Sequence, residues 1–193
     1  MGAEFRSYVD AVDAMTDAEE SDGQLDRSAG RHGSMLTIRE ARGEDAALIL
    51  SMVVELAEYD KELDQVQTTE IDIARDGFGA NPQFRALIAE CDGQPAGFAL
   101  FFGYYSTWRG AGLYLEDLFV RPELRGRGIG KALLARVARA AEQEGRGFLR
   151  WTVLDWNETA IGMYSALGAH FLDHWRIALL TGDGLRKLAE LDA

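Results

Sequence analysis

Apolar positions recur with two periods along this chain, and the switches between those periods divide it into short strands and helices. Alternating positions predict half-buried strands, whereas apolar residues three and four apart predict helices with one buried face. Glycine and proline fall between these segments rather than within them, which supports the predicted boundaries. The predicted strands are residues 36–39, 85–90, 95–105, 113–120, 148–154 and 175–180. Predicted helices begin near residues 43, 69, 129 and 157, and a terminal helical turn covers residues 185–191.

Turn and cap residues mark where several of these elements meet. Asp92-Gly93 between two apolar runs predicts a tight hairpin, because this pair accommodates a positive φ. Thr69 and Asn157 are candidate helix N-caps, and Gly168 stands where a left-handed C-terminal cap is expected. The order β-α-α-β-β-β-α-β-α-β indicates a mixed sheet flanked by helices in a single domain.

Residues 1–34 differ from the rest of the chain. They are rich in Asp, Glu, Ser and Gly and show no sustained period, so we predict a disordered acidic tail ahead of a domain spanning residues 35–193. Neither a signal peptide nor a membrane-spanning run is evident, and we expect no membrane partner. A single cysteine, Cys91, excludes an internal disulfide and fits a reducing cytoplasm.

The formal net charge of −12 argues against a nucleic-acid partner, because phosphate binding requires a basic face. It favours a small cationic substrate, although acidity that serves only solubility explains it equally well. One cluster has the opposite sign: Arg121, Arg125, Arg127 and Lys131 lie close together before and at the start of a predicted helix. A basic cluster in an acidic chain indicates an anionic ligand.

Three glycines in five residues, within the segment 125–131, accompany these cations. The segment does not fit the dinucleotide fingerprint, since Lys131 replaces the last glycine, nor the Walker loop, since Arg125 and Ala132 occupy required positions. A glycine-rich turn without a ligand remains an alternative. Against it, the glycines leave amide N–H groups open at a helix N-terminus, which favours anions.

The R-x-x-G-x-G pattern after an acid-bearing strand resembles the acetyl-CoA motif of the GCN5-related N-acetyltransferases (GNAT). Further segments are similar to the diamine acetyltransferase branch, which acts on spermidine, spermine or thialysine: residues 55–59, 76–79, 114–117, 153–157 and 164–169. The resemblance covers residues 36–191. It implies an α/β (α+β) GNAT fold with a mixed, mostly antiparallel sheet of about six to seven strands flanked by helices. It also implies a homodimer and acetyl-CoA as cosubstrate.

The implied reaction moves the acetyl group of acetyl-CoA to a primary amine of a diamine, polyamine or lysine-like acceptor by direct attack on the thioester. The amine must first lose a proton, and the leaving thiolate benefits from gaining one. By resemblance, Glu116 is the base, acting through water, and Tyr164 is the acid. Simple alternation puts Glu116 on the face of Tyr114 and Leu118, with Asp117 opposite, unless a bulge intervenes.

The resemblance also implies two sets of binding residues. The predicted cofactor-binding residues are Leu118, Phe119, Val120, Arg125, Gly126, Arg127, Gly128, Ile129, Gly130, Lys131, Asn157 and Tyr164. The predicted acceptor-binding residues are Tyr59, Asp60, Trp108, Glu116, Asp117 and Trp175. Each of the acceptor-binding side chains, taken alone, is better explained by ordinary packing or exposure at the surface.

Departures from the polyamine enzymes leave the acceptor open. Ser106 stands where those enzymes have Asp before the loop Trp, and Asp173-His174-Trp175 stands where they have an acidic segment before a Trp. Shorter diamines and lysine-like amines therefore remain possible acceptors. One alternative is an enzyme with another acceptor: an aminoglycoside, an amino acid or a protein N-terminus. The other is a non-catalytic CoA-binding or interaction module. The histidines lack metal-ligand spacing, so we predict no metal.

Overall fold

The computed structural model describes residues 35–191, which form one five-stranded sheet in the order β1-β2-β3-β4-β5 with helices on both faces. Neighbours are antiparallel except for β4 and β5, which are parallel. The strands are β1 Leu36–Glu40, β2 Arg85–Cys91, β3 Gln94–Ser106, β4 Gly110–Val120 and β5 Leu149–Arg150. The α-helices are α1 Ala46–Asp60, α2 Glu70–Phe78, α3 Ile129–Gln143, α4 Glu158–Ala166 and α5 Gly182–Ala189. None of these helices is long and apolar enough to cross a membrane.

Local turn and cap chemistry confirms the predicted hairpin and helix caps. Asp92 and Gly93 have φ of 53° and 76°, as the hairpin between β2 and β3 requires. Thr69 forms a capping box at the start of α2, and the Asn157 side chain accepts a hydrogen bond from the Ala160 amide at 3.2 Å. Gly168 has φ of 81° after α4. The predicted tail, residues 1–34, lies outside the described residues.

Two strand predictions are corrected by the structure. Residues 175–180 form no strand, and only Leu149–Arg150 of the predicted strand 148–154 is paired, so the sheet has five strands rather than six or seven. The pattern at 175–180 is apolar, but Ile177 and Leu179 are 78% and 85% exposed. A strand forms only where a neighbouring edge takes its backbone hydrogen bonds, and this segment contacts no such edge within the described chain.

The sheet separates two hydrophobic cores. On one face, Leu113 and Leu115 of β4 form a core with Leu133 and Val137 of α3. On the other face, Phe119 forms a core with Phe98 and with Ile49 of α1. The change of face along β4 results from a bulge, because Leu100 pairs with Asp117 and Phe101 pairs with Leu115, which leaves Glu116 as the extra residue.

Gly97 in β3 allows the backbone of β4 to approach closely. A Cβ built at Gly97 would lie 2.3 Å from the Phe119 carbonyl oxygen, which belongs to a backbone that cannot rotate away. We expect Gly97→Ala to lower the free energy of unfolding by about 1–3 kcal/mol. Gly103→Ala in the same strand is the control, because its Cβ would meet only the tip of Arg146 at 3.8 Å. Equal urea midpoints for the two variants would contradict this prediction.

Candidate active site

Strands β4 and β5 separate soon after they meet. They pair only at Leu113 with Leu149 and at Tyr114 with Arg150. Residues 115–120 therefore have no strand partner on this side among the described residues, although β3 pairs with them on the other side. An open strand edge of this kind can hydrogen-bond an extended ligand as if it were another strand. Leu118, Phe119 and Val120, which we predicted to bind the cofactor, lie along this edge.

The glycine-rich turn lies directly beyond that open edge. Gly126 and Gly128 have φ of 75° and 79°, and a Cβ at Gly130 would touch Val120 Cγ2 at 3.6 Å. Gly128 is the N-cap of α3, and no side chain caps the amide groups of the first helical turn. Free amide groups at a helix N-terminus bind anions.

The cations of the turn add to this anion site. Arg127 and Lys131 are exposed, and neither forms an ion pair with another described residue. The open edge, the bare amides and these cations together fit a cofactor with an extended arm and a pyrophosphate. Arg125 is placed differently, since its guanidinium lies over the ring of Tyr59, with Cζ 4.2 Å from the ring centroid.

Three carboxylates gather where β4 passes the end of α1. The bulge exposes Glu116, whereas Asp117 is largely buried. Burial, with smaller contributions from the charges of Glu116 and Asp60, raises the pKa of Asp117 to about 7. Burial and the charge of Glu62 also raise the pKa of Asp60, while Arg125 acts in the opposite direction. This concentration of negative charge suits a ligand that carries ammonium groups.

The ionisation of Asp117 makes a testable contribution to stability. Its carboxyl titrates near 3.8 when unfolded and about 7 when folded, so between these values the folded protein binds more protons. The contribution of Asp117 to the free energy of unfolding therefore falls as pH rises from 4 to 7, by up to about 4 kcal/mol. We expect Asp117→Asn to be more stable than wild type at pH 8 by about 1–4 kcal/mol and similar near pH 4. Urea unfolding at both pH values measures this difference, and equal gains at the two would exclude ionisation as the cause.

Tyr164 lies on α4 and belongs to the same core cluster as Leu113 and Leu115 of β4. It is 6% exposed, and its ring packs edge-on against Trp151 with 5.0 Å between centroids. Its hydroxyl makes no hydrogen bond to another described residue, and no fully buried side-chain oxygen in the described chain lacks a partner, so the hydroxyl reaches solvent. Burial raises the pKa of Tyr164, which keeps the phenol protonated at neutral pH and suits a proton donor.

Asn157 starts the same helix. Its side-chain carbonyl caps the helix by accepting from the Ala160 amide, which leaves its amide nitrogen and the second lone pair of its carbonyl oxygen available to a ligand. The role of Asn157 in binding the cofactor stays a prediction.

The structure does not bring the two predicted tryptophans to the carboxylates. Trp108, at the β3–β4 turn, and Trp175 contact each other edge-on at 6.3 Å, and both are exposed. Residues 110 and 117 lie about 20 Å apart along an extended strand, so this pair occupies the far end of β4 from Asp117. The predicted acceptor residues therefore form two groups within one chain.

Sequence reasoning missed two contacts that shape the site. Arg121 donates two hydrogen bonds to Glu55 at 2.9 and 3.1 Å, and a third to the Pro95 carbonyl, which fixes α1 against the end of β4. Trp156 packs on Tyr59 with 5.8 Å between ring centroids. The only feature of the sequence that pointed to the Arg121 contact was Glu55, an acid on a helix that we predicted from its apolar positions. No group of three or more His, Cys, Asp or Glu residues suited to a metal occurs in residues 35–191.

Comparisons with known proteins agree with this geometry. The Acetyltransferase (GNAT) family matches residues 50–169. A thialysine N-epsilon-acetyltransferase from Sus scrofa is 43% identical over 163 residues, covering 79% of this chain and 96% of the relative. A spermidine/spermine N(1)-acetyltransferase-like protein from Homo sapiens is 37% identical over 139 residues, covering 68% of this chain and 20% of the relative. Among solved structures, a V. cholerae integron cassette protein superposes with a TM-score of 0.67 at 26% identity, covering 82% of this chain and 99% of that one.

Proposed function

Because the chain belongs to the Acetyltransferase (GNAT) family, we propose that it acetylates the primary amine of a small cationic acceptor, with lysine-like amino acids ahead of polyamines. The chain is an acetyl-CoA-dependent N-acetyltransferase of the GNAT fold. The relative named for thialysine is 43% identical over 79% of this chain, whereas the one named for spermidine and spermine is 37% identical over 68% of this chain. This difference supports the lysine-like acceptor.

One observation carries the proposal: Asp60, Glu116 and Asp117 gather beside the open edge of β4, with the ring of Tyr59 close by. Carboxylates and an aromatic face are the groups that recognise ammonium ions in proteins. The open edge and the anion site of the turn fit the pantetheine arm and the pyrophosphate of acetyl-CoA. The groups that recognise the amine and those that bind the thioester are therefore adjacent.

The roles of the side chains follow from their surroundings. Acetyl-CoA supplies an activated acyl carbon at which an amine can attack. Glu116, exposed by the bulge, takes a proton from the ammonium group through water, because only a neutral amine has a lone pair. A backbone amide of residues 118–120 donates to the carbonyl oxygen as negative charge develops. As the carbon–sulfur bond breaks, Tyr164 donates a proton to the departing sulfur, and the resulting phenolate takes up the second proton that the attacking nitrogen loses.

An acceptor panel tests this proposal. The full chain is incubated with acetyl-CoA and thialysine, lysine, putrescine, spermidine, an aminoglycoside or short peptides, and free thiol is measured. We expect kcat/KM to be highest for thialysine or lysine. A preference for the aminoglycoside or a peptide would overturn the acceptor class. Calorimetric binding of acetyl-CoA without thiol release across the panel would instead identify a binding module.

We also propose that the chain forms a homodimer through its C-terminal segment, residues 171–191. Apolar side chains are exposed throughout this segment, and residues 175–180 form neither a helix nor a paired strand. Helix α5 likewise presents three exposed leucines, Leu185, Leu188 and, just beyond its end, Leu191. An exposed apolar segment of this length is typical of a protein–protein interface. A second copy can supply the strand partner that residues 175–180 do not have among the described residues of one chain.

Two matched substitutions test the dimer. Ile177→Lys lies in the C-terminal segment and Ile71→Lys lies on α2, and the two side chains are 78% and 77% exposed. Light scattering coupled to size exclusion should show a dimer for wild type and Ile71→Lys, and a monomer for Ile177→Lys. A wild-type monomer at micromolar concentration would overturn the proposal.

A further inference from the structure

The side chain of Arg125 lies in the acceptor region rather than along the glycine-rich turn that it precedes. Its Cζ is 4.2 Å from the ring centroid of Tyr59 and 5.8 Å from that of Phe119. Its Nε donates a hydrogen bond to the Val120 carbonyl at 2.9 Å. The side chain forms no ion pair with another described residue. A cation from the cofactor motif thus covers an aromatic ring of the acceptor site.

Those surroundings are the ones that an acceptor amine needs. A positive charge over the face of Tyr59, next to the carboxylate of Asp60, has the same recognition chemistry as an ammonium group in that place. The electrostatic effect of Arg125 on Asp60 places the two charges within interaction range. Arg125 and a bound amine would compete for one aromatic face and for the same negative charge.

A second anion offers Arg125 an alternative partner. The amides at the start of α3, together with Arg127 and Lys131, form the site that fits a pyrophosphate, and Arg125 immediately precedes Gly126 of that turn. Arginine binds phosphate groups more strongly than it binds an exposed aromatic ring, because phosphate accepts two charge-assisted hydrogen bonds. Occupancy of the turn therefore favours withdrawal of Arg125 from Tyr59.

We propose that Arg125 is a positioning residue that blocks the acceptor site until the pyrophosphate of the cofactor draws it away, so that acetyl-CoA binds before the amine. This inference rests on the proposed function, since it assumes that Tyr59 and Asp60 bind the acceptor. A cation–π contact at a partly exposed ring limits the coupling to about 2- to 30-fold in affinity. By linkage, the amine must tighten cofactor binding by the same factor.

Binding measurements with two probes that do not react test the coupling. Thialysine is titrated into the full chain alone and in the presence of saturating CoA, which lacks the acetyl group. In wild type, CoA should tighten thialysine binding by about 2- to 30-fold. In Arg125→Ala, thialysine should bind the free protein as tightly as it binds the wild-type CoA complex, and CoA should have no further effect.

Arg127→Ala is the matched control, because it removes a neighbouring cation of the turn that makes no cation–π contact among the described residues. It should weaken CoA binding but keep the tightening of thialysine. A wild-type thialysine affinity that is independent of CoA would overturn the proposal. So would a tightening that survives in Arg125→Ala.

A spectroscopic measurement separates this proposal from the choice of acceptor. The Arg125 side-chain protons should show an upfield ring-current shift in the free protein, which Tyr59→Leu abolishes and CoA removes from wild type. An upfield shift that persists in the CoA complex would overturn the block by Arg125. If thialysine binds neither the free protein nor the CoA complex, the proposed acceptor class is overturned. The ring-current shift would still decide where Arg125 lies.

Discussion

Replacing Glu116 by glutamine is expected to lower kcat at neutral pH by about 100- to 10,000-fold, the range that general base catalysis supplies. The pKa of an alkyl amine is about 10, so at neutral pH nearly every acceptor molecule carries a proton that the enzyme must remove. The loss should shrink as pH rises, because a growing fraction of the amine is already neutral. Steady-state rates of thiol release from pH 6 to pH 10 measure both effects.

The neighbouring acid provides the comparison for that experiment. Asp117 is largely buried, and its pKa of about 7 would also suit a base at neutral pH. We expect Asp117→Asn to raise KM for the amine more than it lowers kcat, because Asp117 contributes charge to the acceptor region. A larger fall in kcat for Asp117→Asn than for Glu116→Gln would transfer the role of base to Asp117.

Tyr164→Phe is expected to lower kcat by about 100-fold or more while acetyl-CoA affinity stays within a few-fold of wild type. The substitution keeps the ring that packs against Trp151 and removes only the hydroxyl, so the fold should remain intact. If this phenol is the proton donor, the fall in kcat on the alkaline side of the pH profile should disappear in the variant. Stopped-flow or steady-state kinetics with the preferred amine measure the change.

Tyr104→Phe is the control for Tyr164→Phe. It also removes a tyrosine hydroxyl, but one that accepts a hydrogen bond from Arg150 at 3.1 Å and to which we assign no role in the reaction. This variant should retain wild-type kcat. Wild-type turnover in Tyr164→Phe would exclude Tyr164 as the acid, whereas equal losses in both variants would indicate a structural cause.

Much of the fold was predictable because its signals are local. The Asp92-Gly93 turn, the capping box at Thr69 and the cap at Asn157 each depend on residues within a few positions of one another. The cofactor side of the site is local as well, because one strand and one turn supply it. The structure places Leu118 to Val120 and the glycines on neighbouring surfaces, although their roles in binding stay predictions.

The acceptor side could not be predicted in the same way. Alternation placed Asp117 on the face opposite Glu116, but it could not show that the bulge sets Asp117 on the face of Phe119 and α1. A bulge depends on the register of two strands, which hydrophobic pattern alone does not fix. The contact of Arg125 with Tyr59 joins residues 66 positions apart and carries no sequence signal.

The sequence by itself determined the order of elements, the anion-binding turn and the family of this protein, because periodicity, caps and motifs act over short stretches of chain. Only the tertiary structure decided that β4 and β5 separate, that the charge of Asp60 acts on Asp117, and that Trp108 and Trp175 lie apart from them. It also decided that residues 175–180 form no strand, although their pattern favours one. The physical reason is that pairing, burial and charge contacts depend on which distant residues become neighbours, and that information resides in the packed chain.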